Sequence, residues 1–200
     1  MILPESYYHS SDVVALSHDL IGKYLFTSID GSITGGFIVE TEAYNGVVDR
    51  ASHAFGNRNT PRTGTMFKPG GIAYVYLCYG IHEMFNVVTS VEGLPHAILV
   101  RAIQPTDGIE TMLQRRNMPA LKPNITSGPG SVAKALGITR KINAFSLQSD
   151  TIWIEDRGLM FPDQDIAAVP RVGVAYAGED ALLPYRFYVK GNPYVSKPNK

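Results

Sequence analysis

Apolar residues recur at Val13, Val14, Leu16 and Leu20, the spacing of one helix face, behind Ser10 and Ser11 and ahead of Gly22. The pattern predicts an N-terminal helix over about residues 10–21, capped by one of the serine hydroxyls and stopped by the glycine. Tyr24 to Ser28 reads as a strand, Asp30-Gly31 as a two-residue turn, and Thr34 to Thr41 as the returning strand. A second hairpin covers about residues 73–89. Side chains two apart on a strand point the same way, so Tyr74 and Tyr76 share a face there, while Tyr79 beside Gly80 sits at the tip. Ala97 to Ile103 is a further strand. Asp107 to Arg116 reads as a helix opened by an Asp107/Glu110 capping box, and Ser131 to Leu136 as a shorter helix ended by Gly137. Between Thr151 and Tyr188, through Val174, short strands alternate with Gly and Pro turns. Strands joined by hairpins predict an α+β fold: a single domain over residues 1–200, a mostly antiparallel, curved β-sheet with helices packed around it and a protruding β-hairpin.

Composition narrows the classes. At 200 residues and 44% hydrophobic, the chain buries a sizeable core. A single cysteine, Cys78, excludes an intrachain disulfide framework and favours a reducing compartment. The five histidines lack metal-ligand spacing, so no metal is expected. No apolar run approaches the roughly 20 residues of a membrane span, and Met1 to Ser11 lacks a basic region followed by an apolar stretch. The expectation is a cytoplasmic protein with no targeting signal and no membrane contact. Eighteen basic residues balance eighteen acidic ones, which argues against a phosphate-rich partner unless cations cluster on one face. Arg58, Arg62 and Lys68 do fall in one Gly/Pro/Asn-rich loop, with Arg140, Lys141, Arg171 and Lys190 available elsewhere. They are either a cationic face or ordinary solvated charges.

Two carboxylates stand out on one strand face, Glu40 and Glu42. One is structural, or the two form an acid/base pair as in glycoside hydrolysis. Glu42 is favoured by its setting: Tyr44 on the same face, His53 nearby, and Arg101, an isolated charge within Leu99-Val100-Arg101-Ala102. A guanidinium inside an apolar strand is costly unless it meets a carboxylate. Three tyrosines so close together cannot all face one pocket, so Tyr74 is assigned to the core, and His53 alone reads as a structural histidine. Ser127-Gly128-Pro129-Gly130 before a helix is either a phosphate-binding turn or a plain cap. Glu83, close to Tyr79, is an awkward neighbour for a phosphate backbone. An aromatic platform, an aromatic wedge and a carboxylate suit an enzyme that pulls a base out of a nucleic-acid stack. A non-catalytic DNA or RNA binding module, and a nucleoside or glycoside hydrolase using Glu40 with Glu42, remain open.

The runs Val39-Glu40-Thr41-Glu42-Ala43-Tyr44, Thr60-Pro61-Arg62, Lys68-Pro69-Gly70, Tyr74-Val75-Tyr76, Tyr79-Gly80, Leu99-Val100-Arg101-Ala102, Ser127-Gly128-Pro129, Arg171-Val172-Gly173-Val174 and Arg186-Phe187-Tyr188-Val189 resemble, in order, the alkyladenine (3-methyladenine) DNA glycosylase family. The resemblance runs from about Leu20 to Ser196. It implies a monofunctional DNA glycosylase of base excision repair, acting as a monomer and without cofactor on double-stranded DNA containing damaged purines. The lesions implied are 3-methyladenine and 7-methylguanine, with hypoxanthine and ethenoadenine as further candidates. Carried over, Glu42 is the general base that activates water. Arg101 and the backbone carbonyl of Val172 hold that water, and Arg101 favours the charged form of Glu42. Tyr44, His53 and Tyr76 stack on and read the flipped purine, and Asn86 clashes with the amino group of normal guanine. Tyr79 is the wedge entering the minor groove, and Arg58, Arg62, Lys68, Ser127 and Gly128 meet the DNA backbone. No lysine is placed as a Schiff-base nucleophile, so strand cleavage is not expected.

Overall fold

The computed structural model describes residues 1–196, so residues 197–200 of the predicted domain lie outside the described residues. The first helix, α1, spans Val13–Asp19, and its cap is Asp12, whose carboxylate accepts from the Ala15 N–H at 2.9 Å. The predicted serine caps are one or two residues early. Ser10 instead accepts from the Asp12 N–H through its hydroxyl, bracing the residue that does the capping.

Strands β1 (Tyr24–Ile29) and β2 (Ser32–Tyr44) form the first hairpin. Asp30 and Gly31 both take positive φ, 54° and 72°, as a two-residue turn matched to strand twist requires. Hairpin two is β3 (Ile72–Cys78) and β4 (His82–Thr89), followed by β5 (His96–Asp107). Helices α2 (Ile109–Arg116) and α3 (Pro129–Leu136) come next, then the short strands β6 (Ile152–Glu155), β7 (Ile166–Val169) and β8 (Arg186–Val189). Helix α3 ends at Gly137, φ 73°, as expected. The Asp107/Glu110 capping box does not form: α2 is entered through Gly108 at φ 68°, which leaves Asp107 as the last residue of β5, accepting from the Thr106 hydroxyl.

The sheet runs β3-β4-β5-β2-β1-β6, every pairing antiparallel, and β2 is its spine. Along one edge β2 pairs with β5. Along the other it pairs first with β1 and then, at Glu40–Glu42, with Tyr188–Arg186 of β8. Register shifts at Gly35/Gly36, Ile38/Glu40 and Glu40/Thr41 mark bulges that bend the strand and curve the sheet. Gly36 permits the first of them, because a Cβ there would lie 2.1 Å from the Gln104 carbonyl oxygen.

The main core lies between this sheet and the helices, with Leu16, Leu20, Ile38, Val100, Val132 and Leu136 among its buried members. Thr41 faces α1, its hydroxyl donating to the Ser17 carbonyl at 2.8 Å. Its neighbours Glu40 and Glu42 project away from α1 and converge on Arg101 of β5. A second cluster of Met66, Tyr74, Val88 and Ala97 fills the base of the protruding hairpin. No helix among the described residues is long and apolar enough to cross a membrane.

Candidate active site

The hairpin tip is the three-residue loop Tyr79-Gly80-Ile81, closed by the Cys78/His82 pair and an Ile81 N–H to Cys78 carbonyl hydrogen bond of 3.1 Å. Tyr79 takes φ 49° and Gly80 φ 74°, and the Tyr79 side chain is 91% exposed. An aromatic ring held at positive φ with almost all of its surface in solvent contributes nothing to the core. Beneath it opens a cavity of about 430 Å³, lined among others by Tyr44, His53, Tyr74, Tyr76, Asn86 and Tyr176. All three hairpin tyrosines reach this cavity, against the expectation for Tyr74. Tyr74 is both core and wall: its ring is buried, and its hydroxyl meets His53 Nδ1 at 3.1 Å.

The wall is an aromatic set fixed by polar contacts. Tyr74 and Tyr76 rings lie 5.4 Å apart, and His53 stands edge-on to Tyr76 at 4.6 Å. Arg62 lays its guanidinium 4.8 Å from the Tyr76 ring centre and brings Nη2 within 3.3 Å of His53 Nε2. A guanidinium only donates, so Nε2 is the acceptor and the single proton of the neutral imidazole sits on Nδ1, donated to Tyr74. Asn86 is clamped as well, its Nδ2 donating to the Tyr74 carbonyl at 3.2 Å.

Burial first, then Arg62 and Arg58, lower the His53 pKa from 6.5 to about 4. The folded protein therefore keeps this ring neutral where an unfolded chain protonates it. Its contribution to stability is complete above pH 6.5 and is lost as pH falls from there through about 4, with a ceiling of roughly 3 kcal/mol. In urea titrations between pH 7.5 and 4, His53→Gln is expected to flatten the acid-side loss of stability. A wild-type slope in that variant would remove His53 as its source.

Behind the cavity lining lies Glu42, which is fully buried. Its Oε2 accepts from the Tyr44 hydroxyl at 2.8 Å, and its Oε1 accepts from the Val172 N–H at 2.8 Å and faces Arg101 Nη1 at 3.3 Å. Tyr44, Arg101 and Val172 themselves line the cavity. A carboxylate offers about four acceptor positions, and these three donors leave it room for one more. Burial, with the Glu42 charge beside it, raises the Tyr44 pKa well above its usual value, so the phenol remains a donor.

Glu40 behaves differently. Arg101 Nε and Arg186 Nε reach its Oε1 at 2.8 and 2.7 Å, the Ser196 hydroxyl donates to the same oxygen at 2.8 Å, and the Ser196 N–H donates to Oε2 at 2.7 Å. This carboxylate is saturated and serves as the anchor of Arg101. Arg171, expected among the available surface cations, is buried: it grips Asp49 with both terminal nitrogens, one contact being 2.8 Å, and donates to the Ala43 carbonyl at 2.8 Å. That clamp fixes the loop that delivers the Val172 N–H to Glu42. The awkward Glu83 is matched by Arg140 at 3.2 Å.

The predicted backbone contacts are less gathered. Arg62 turns into the cavity wall, Arg58 and Lys68 are exposed beyond it, and Ser127 spends its hydroxyl on the Val195 carbonyl at 3.2 Å, next to Gly128 at φ 112°. The residues not singled out from sequence are Tyr176, Asp49 and Ser196. Arg171 and Val172 stood together in a recognisable run, but nothing local marks Asp49 as the partner of that arginine. Among the described residues no group of three His, Cys, Asp or Glu could hold a metal ion.

A curved antiparallel sheet thus holds a buried carboxylate directly behind a tyrosine-lined cavity, with an exposed tyrosine at its mouth. The sequence matches the family model for methylpurine-DNA glycosylase over residues 6–193, and the chain belongs to that family. Relatives are similar over nearly their whole length. A Chlamydia felis protein is 46% identical over 189 residues, covering 93% of this chain and 95% of its own. One from Bacillus cereus strain G9842 is 45% identical over 208 residues, covering 98% of this chain and 100% of its own. Both are provisionally named 3-methyladenine DNA glycosylase.

Proposed function

We propose that this protein excises damaged purines from double-stranded DNA by hydrolysing the N-glycosidic bond. The observation that carries the reading is the buried Glu42 carboxylate, held by Tyr44, Arg101 and the Val172 N–H, three residues that themselves line the tyrosine cavity. Tyr79 fills the gap in the stack, and the extruded purine enters the cavity against Tyr76, with Tyr44 and His53 as the other pocket walls. Extrusion costs a few kcal/mol, least for damaged pairs, and each base–aromatic contact returns about 1–3 kcal/mol. Asn86, clamped in the wall, excludes the amino group of normal guanine. A water donating to the remaining acceptor position of Glu42 loses a proton to it and attacks the sugar carbon. The bonding pair of the C–N bond leaves with the purine. An alkylated, cationic purine departs neutral by this route, whereas hypoxanthine or ethenoadenine needs a proton delivered as it leaves.

The Val172 N–H contacts Glu42, so Val172 orients the base itself, and its carbonyl is the group assigned to the attacking water. No lysine lines the described cavity, and the reaction proposed is base release without strand cleavage. The saturation of Glu40 by two guanidinium groups and Ser196 weighs against a glycoside hydrolase working through a Glu40/Glu42 pair. A binding module has no use for a buried Glu42–Arg101 pair.

The test is single-turnover incubation with duplexes carrying 7-methylguanine, hypoxanthine or ethenoadenine, followed by alkali. Strand breaks only after alkali, at the lesion, are expected. Tight binding with no abasic product, or release only from free nucleosides, would overturn the proposal.

A further inference from the structure

Charges around the cavity are not evenly compensated. At the floor Glu40 and Glu42 are met by Arg101 and Arg186, and Asp49 is met by Arg171. The aromatic wall is different. Arg62 has its guanidinium over the Tyr76 ring, and among the described residues neither Arg62 nor Arg58 is paired with a carboxylate. Arg62 also donates to the one histidine nitrogen that a base edge or a proton could otherwise use. The His53 ring shows this field: burial and these two arginines hold it neutral.

We propose that Arg62 is a specificity-determining residue that sets the charge preference of the pocket, favouring neutral lesion bases over cationic ones. The inference rests on the glycosylase reading and adds to it the class of purine that the site accepts most readily. A tyrosine ring attracts a cation through its π face, and here that attraction is already used by a resident guanidinium. A methylated, positively charged purine stacked on Tyr76 competes with Arg62 if it takes the same face. If it takes the opposite face, it meets a ring whose electron density is drawn toward the arginine. In either position its charge lies on the order of 5–8 Å from the guanidinium, where partly screened charges alter binding by roughly three- to tenfold. A neutral base such as hypoxanthine does not meet this repulsion. The positive charge, on the base when bound and shared between base and sugar in the transition state, meets the repulsion in both, so the repulsion falls on KM and leaves kcat little changed.

The experiment compares kcat/KM for duplexes containing 7-methylguanine, a cationic base, and hypoxanthine, a neutral one, in the wild type, Arg62→Gln and Arg62→Lys. Arg62→Gln is expected to raise the 7-methylguanine to hypoxanthine ratio about three- to tenfold, through a lower KM for the methylated duplex. Arg62→Lys, which restores the charge, is expected to return the ratio toward wild type. Added salt should raise the wild-type ratio and leave that of Arg62→Gln nearly level. A ratio unchanged in Arg62→Gln, with both substrates weakened in parallel, would make the arginine a plain phosphate contact and overturn the inference. So would a lysine variant that behaves like the glutamine one. A wild-type protein that releases neither base overturns the glycosylase reading and this inference with it, whereas active enzyme with an unmoved ratio overturns this inference alone.

Discussion

Glu42→Gln is expected to lower single-turnover excision by about 10²–10⁴-fold or more while leaving lesion-duplex affinity within about threefold. The replacement is nearly isosteric, and the existing donors select its orientation. An amide carbonyl in place of Oε1 still accepts from the Val172 N–H and faces Arg101, while the amide NH₂ in place of Oε2 turns toward Tyr44, whose hydroxyl can reverse and accept. The pocket wall is therefore kept. What disappears is the lone pair that, in the proposed reaction, takes the proton from water, since the NH₂ offers only donors on that side. Binding titrations on a hypoxanthine duplex, run beside the rate measurement, separate the two effects. Wild-type excision in this variant would remove Glu42 from the chemistry.

The second large effect is on stability. Arg101→Leu removes the guanidinium that faces Glu40, Glu42 and Ser196 together. Glu42 is then left with two neutral donors, and two buried carboxylates share the charge of Arg186. Breaking a buried pair from one side costs about 3–5 kcal/mol. For a domain of this size that is a fall in Tm of roughly 6–20 °C, measurable by calorimetry. Arg101→Lys keeps the charge without the planar fork and is expected to fall between. A Tm for Arg101→Leu within a degree or two of wild type would show that the network is not what secures the floor.

The parts of this molecule legible in the sequence are those written locally. The turns at Asp30-Gly31 and at Gly80 declare themselves because residues tolerant of positive φ sit between alternating runs. Arg101 was readable because a lone charge in an apolar strand demands a partner, and Glu42 was the nearest candidate by strand face. Ser10, Ser11 and Asp12 are three consecutive cap formers, which leave the helix start ambiguous by a residue or two. The short 3₁₀ turns, such as Gly46–Val48 and Gly64–Phe67, are too brief to show a period. The clamp of Arg171 on Asp49 and the enclosure of Glu40 by Arg186 and Ser196 join residues more than a hundred positions apart. No pattern in a window of sequence encodes such a meeting. Tyr74 is in the core as expected, but the premise that three tyrosines cannot reach one pocket does not hold: alternation along a strand sorts faces, and it does not foresee a three-residue loop that leaves Tyr79 lining the mouth of the cavity below.

The enclosure of Glu40 has a consequence for how the molecule is made. On the ribosome Glu40 emerges 146 residues ahead of Arg186 and 156 ahead of Ser196. Through most of synthesis β2 has no β8 beside it, and a carboxylate meant for the interior must stay in water. A nascent chain can form its first hairpin early, but the network around Glu40 closes only when the last strand arrives. Such long-range closure is slow, and a fragment released before that point carries the Tyr79 hairpin and the cavity walls without a partner set for Glu40.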